Sequence, residues 1–190
     1  MQIDSKELKY LATVAGKIKK NLFNKKSYTD IHLFIAPHKD KQYLGLVEGR
    51  YAIFKEIGKA EENSSIFLFD VNPAICNLYK GSLNIKTDNN KLYIENICIE
   101  PVCMYTKDMP ESKSFCLLNL LDSIKPNTMP ESYFAFNPDY LQIGNKWLDG
   151  IMSKHPFPDV EKPNGDSTLA CWHNFDNTKY FFCMSFYRKK

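Results

Sequence analysis

The stretch Tyr133–Leu148, YFAFNPDYLQIGNKWL, sets an alternating aromatic run against an apolar pattern with helical spacing, and Asn137-Pro138 stands at the change. An asparagine side chain can accept the first free amides of a helix, and proline is shaped for its first turn. The expectation is a strand edge through Tyr133 and Ala135, then a helix capped by Asn137. The same grammar occurs in Phe67–Tyr79, FLFDVNPAICNLY, with Gly81 as a natural stop beyond it. Two such joints indicate a repeated unit in which a short helix backs onto a sheet.

Outward from these joints, most segments read as short strands. DIHLFIA, the pair within QYLGLVEGRYAIFKEI, IFLFD, LNIKT, KLYIENICI, PVCMY, TLACWHNF and KYFFCMSFY all carry apolar or aromatic alternation between turn residues. FCLLNLLDSI suits a short helix or a buried strand. Ser5–Lys20 reads as the first helix: Leu8, Leu11, Ala12, Ala15 and Ile18 recur on one face, while Lys6, Lys9, Lys17, Lys19 and Lys20 are available to the other. Its tail, KIKKNLFNKK, adds Lys25 and Lys26. Antiparallel strands covered by short helices make an α+β protein, divided into residues 1–112 and 113–190.

The chain has 190 residues, 44% of them hydrophobic, with 13 Phe and 11 Tyr, a composition for packed sheets rather than for disorder. Charge is unevenly spread. Residues 1–60 hold twelve Lys or Arg against six Asp or Glu, whereas residues 61–132 hold six against ten. One surface is thereby suited to phosphate and another to a protein partner. No apolar run reaches transmembrane length and the N-terminus has no signal core, so a cytoplasmic protein with no membrane partner is expected. Six cysteines are too sparse here for a secreted disulfide framework.

Chemistry-bearing clusters are weak. Cys171, His173 and Cys183 offer mixed donors without a fourth ligand, and Cys171, His173 and Asp176 form a triad on paper only, with no oxyanion donors identified. Glu61 and Glu62 share a turn, and Asp159, Glu161 and Asp166 share a loop, without the convergence that a two-metal centre requires. No enzyme, metal or cofactor is expected.

FAFNPDYLQIGNKWLD resembles the strand-to-helix phrase in the C-terminal domain of the bacterial DNA polymerase III beta subunit, the sliding clamp. KYFFCMSFYRKK resembles its Met-containing closing strand, and QYLGLVEGRYAIFKEI a clamp hairpin whose turn usually reads Thr-Asp-Gly. Here that turn is Val47-Glu48-Gly49-Arg50. The order from Ser64 to Ser112, strand, short helix, three strands and a proline-containing link, also follows a clamp domain. The chain is short for a three-domain clamp, so the resemblance implies an incomplete architecture, one clamp-like domain and a shortened second unit or one heavily altered pair, of the reduced kind expected of a phage or another mobile element.

In such rings helices face the central hole, which implies DNA contact through Lys6, Lys9, Lys17, Lys19, Lys20, Lys25 and Lys26 by diffuse phosphate attraction. The resemblance also implies homo-oligomerisation as a processivity factor. A peptide pocket for a DNA polymerase or other replication protein would be lined or supported by Tyr140, Leu141, Trp147, Met184 and Phe186. Two alternatives stand beside it: a clamp-fold interaction module that blocks or recruits a host factor, and a sheet that binds single-stranded nucleic acid through Tyr51, Phe54, Lys55 and Lys179.

Overall fold

The computed structural model describes residues 1–24, 31–48, 50–60, 65–88, 91–105, 136–155, 159–160 and 169–184. FCLLNLLDSI and the strand expected through Tyr133 and Ala135 lie outside them. The chain gathers into two compact units, Met1–Val47 with Glu56–Ser112, and Glu48–Lys55 with Lys113–Lys190. Residues 48–55, which the sequence reading assigns to the first domain, therefore group with the second.

In the first unit, β1 (Gln2–Asp4) leads directly into α1 (Ser5–Asn24). The Asp4 carboxylate accepts the Lys6 amide at 2.8 Å, as a capping residue does. β1 was not anticipated from sequence, being only three residues long; it joins β6 (Ser82–Asp88), β7 (Lys91–Ile94) and β8 (Ile97–Ile99) in an antiparallel sheet of order β1-β6-β7-β8. KLYIENICI is thus two strands rather than one. Glu95 takes a positive φ of 54° at the turn, and its amide donates to the Asn84 carbonyl at 2.9 Å. Strict alternation buries Ile3, Leu83, Ile85, Leu92, Ile94 and Ile99 on one face.

A second set of strands in this unit is β2 (Leu33–His38), β3 (Lys41–Glu48), β5 (Ile66–Phe69) and β9 (Cys103–Tyr105), paired antiparallel in the order β3-β2-β5-β9. Leu33 and Ile35 of β2 lie between Leu46 and Leu44 on one side and Phe69 and Phe67 on the other. The helix expected after Asn72-Pro73 is a single 3-10 turn, Ile75–Leu78. Asn72 begins it: its side chain accepts the Ala74 amide and its carbonyl the Ile75 amide, both at 2.9 Å. Gly81, with φ of 84°, releases the chain into β6.

β4 (Tyr51–Lys59) contributes its first residues to the second unit, pairing with β12 (Lys179–Met184). β12 pairs in turn with β11 (Leu169–His173), and β11 with β10 (Asp159–Val160), all antiparallel. On one face stand Tyr51, Ile53, Lys55, Trp172, Lys179, Phe181 and Cys183. On the other stand Ala52, Phe54, Cys171, His173, Tyr180, Phe182 and Met184. Stacked rings hold both faces: Trp172 on Phe181 at 5.5 Å, and Phe54 on Tyr180 and Phe182 at 5.3 and 5.4 Å.

α2 (Pro138–Trp147) covers the first of these faces. Asn137 Oδ1 accepts the Asp139 amide at 2.9 Å with Pro138 opening the helix, the cap read from the sequence. Tyr140 lies 4.9 Å from the Tyr51 ring, and Phe136 meets Trp172 edge-on at 5.4 Å. Gly144 lies directly over Phe181: a Cβ at this position would stand 2.2 Å from the ring. The short α3 (Ile151–Lys154) follows Gly150, whose φ is 81°.

Candidate nucleic-acid interface

α1 owes its placement to its buried stripe. Leu8, Leu11, Ala12, Val14 and Ala15 are all nearly inaccessible. On a helix of 3.6 residues per turn, Lys6, Lys9, Lys17 and Lys20 then fall within an arc of roughly 80° on the opposite side, and all four are exposed. Thr13 stands in the middle of that arc and Gly16 just beyond its edge, both between the two lysine pairs along the helix axis. The Thr13 hydroxyl is turned back onto the Lys9 carbonyl at 2.7 Å, so small groups separate two pairs of cations.

Lys9 donates to Asn77 Oδ1 of the 3-10 turn at 2.7 Å, a neutral acceptor that leaves its charge uncompensated. Tyr10, on the flank of the arc, is half-buried, which pushes its phenol up to about 12. Lys19 points elsewhere. Its Nζ contacts both carboxylate oxygens of Asp70 at 2.6 Å and lies 3.3 Å from His32 Nδ1, which is itself 3.0 Å from Asp70 Oδ1. Burial would raise the Asp70 carboxyl, but the hydrogen bonds to Lys19 and His32 outweigh it and hold the group below its ordinary value.

Beside the arc lies a groove of about 550 Å³ between α1 and the segment following β5. Ala12, Ala15, Leu33 and Val71 contribute apolar lining, and Lys17, Lys19, Lys20 and Asp70 contribute charge. Lys25 and Lys26 lie outside the described residues. Asp70, His32 and Asn77 were absent from the sequence reading. Asp70 and His32 flank strands whose adjacency is visible only once β2 and β5 are paired.

The residues anticipated for a partner pocket do not converge on one surface. Tyr140 and half-buried Leu141 are on α2, over the Tyr51 face, whereas Met184 stands on the opposite face of β12. Trp147 is 2% exposed, with Lys179 Nζ 5.3 Å above its ring and bonded to Asp149 at 2.8 Å. Phe186 lies outside the described residues. Tyr51, Phe54 and Lys179 are buried, which removes them from any base-stacking surface and corrects the single-strand alternative.

Cys171 and His173 share a face of β11, as adjacent odd positions must, but Cys183 is on the other face of the pair. Those three donors therefore do not meet. Among the described residues no three His, Cys, Asp or Glu side chains gather at metal-binding reach. No helix among them is long and apolar enough to cross a membrane.

No family model and no curated protein sequence matches the chain. Among solved structures it is similar to the DNA polymerase III beta subunit of Thermotoga maritima, at a TM-score of 0.33 and 15% identity. That match covers 98% of this chain and 50% of the other; the chain spans about half the length of the clamp subunit.

Proposed function

We propose that this protein is a noncatalytic, clamp-like DNA-associating factor that holds duplex DNA by its phosphates through the exposed lysine face of α1. The observation that carries the reading is the gathering of Lys6, Lys9, Lys17 and Lys20 on one exposed helix face, clear of the helix's buried stripe. Lysine is a point charge on a flexible stem, suited to attracting phosphates in any sequence rather than to reading bases. Such contacts are individually weak and collectively salt-sensitive. On this reading the chain self-associates around the duplex and tethers a polymerase or another replication protein.

Titrating salt against duplex affinity tests the phosphate contacts. Each neutralised phosphate contributes about 0.9 to the negative slope of log affinity against log salt, so the Lys17→Ala/Lys20→Ala variant should lose about 1.8 from the slope of the parent protein. An unchanged slope would overturn the assignment. Encirclement has its own readout: an assembled ring outlasts a salt wash on closed circular DNA and slides off linear DNA, and equal loss from both would exclude it.

A further inference from the structure

Lys19 belongs to α1 and carries the same chemistry as its neighbours, yet its ammonium is held by a carboxylate of its own chain. Asp70, immediately after β5, presents both oxygens to Lys19 Nζ at 2.6 Å, and His32, just before β2, approaches Asp70 Oδ1 at 3.0 Å. Lys19 and His32 thus form an anion seat, with two nitrogens 3.3 Å apart facing one acceptor group. A phosphate oxygen offers the same charge and acceptor geometry as the carboxylate now in place. Lys17 and Lys20 line the same groove as Lys19 and Asp70.

We propose that Asp70 is a built-in competitor for DNA phosphate, occupying the Lys19 seat in cis and so limiting the number of cations that α1 offers to the duplex. The inference rests on the DNA-associating reading above and adds a device that restrains it. The Lys19 side chain is 36% exposed and that of Asp70 49% exposed, so the pair is open to solvent and to its ions. It keeps the protein from gripping DNA at its full positive charge, which favours a complex that moves along the duplex over one that stays in place.

The experiment is a charge cycle on the full chain, reading the salt slope of binding to duplex DNA. Asp70→Asn frees Lys19 and should steepen the slope by about 0.9. Between 50 and 200 mM salt its affinity would then fall about 3.5-fold further than that of the parent. Lys19→Met alone should leave the slope unchanged, and Lys19→Met/Asp70→Asn should cancel the gain. If the gain persists in the double variant, loss of a negative charge acts at a distance and the seat is refuted. If Lys19→Met alone flattens the slope by about 0.9, Lys19 already touches phosphate and the competitor role is likewise refuted, an arm that does not depend on how Asp70→Asn folds. Failure of Lys17→Ala/Lys20→Ala to change the slope instead refutes DNA association itself, so the two failures are distinguishable.

Discussion

Gly144 shows how one hydrogen atom in place of a methyl group sets the depth at which α2 sits on its sheet. Its Cα faces Phe181, and a Cβ there would stand 2.2 to 2.5 Å from three ring carbons. In an exposed helix alanine would be favoured over glycine by about 1 kcal/mol; here the overlap forces α2 or the Phe181 ring to move, at a cost of about 1–3 kcal/mol. Gly144→Ala should therefore show a net loss of stability in chemical denaturation, and an equal or higher midpoint would show that α2 shifts freely. Asn137 was legible from sequence because a cap is a local device, contained in the few residues around Asn-Pro. Gly144 was not, because its reason lies in Phe181, on a strand distant in sequence.

Among the elements, α1 was the most readable, since a 3.6-residue period in apolar positions needs no knowledge of what it packs on. Its lysine face followed, whereas the diversion of Lys19 to Asp70 did not, being a product of strand pairing. Gly16 is the converse of Gly144: exposed, mid-helix, with nothing within 4 Å of where its Cβ would be. Gly16→Ala should raise stability by about 0.5–1 kcal/mol through lower backbone entropy of the unfolded chain and better helix propensity. A lower melting temperature would mean that α1 is not helical through this point. The two Asn-Pro joints differ in how far they carry: the segment after Asn137 runs ten helical residues, whereas the first returns to extended backbone at Tyr79 after a single turn.

At the scale of the whole chain, cysteine chemistry follows burial rather than spacing. Cys76, Cys171 and Cys183 are buried and Cys98 is exposed on the open face of the β1-β6-β7-β8 sheet. Burial, with Glu48 nearby, pushes the Cys183 thiol up to about 12, and burial also raises Cys76. Thiolate is the reactive species, so peptide-mapped alkylation of the native protein at pH 8 should modify Cys98 well before those three. Rapid modification of Cys183 would contradict the packing of β12. The α+β class and most of the longer strands were legible from alternation, whereas the short β1 and β10 and the division of β7 from β8 were not. Membership of the two units was not, because nothing local in residues 48–55 announces a partner more than a hundred positions away.

That partnership has a consequence in time. Lys55 of β4 lies opposite Lys179 of β12, so a strand leaving the ribosome waits for one made more than a hundred residues later. At about 5–20 residues per second the interval is on the order of ten seconds, during which this edge of β4 is without its neighbour and the apolar side chains of Tyr51, Ile53 and Phe54 await their cover. Nor can that unit be excised at a single cut, because a fragment beginning after residue 112 leaves β4 behind. The N-terminal half of the chain supplies the template on which the C-terminal half is completed.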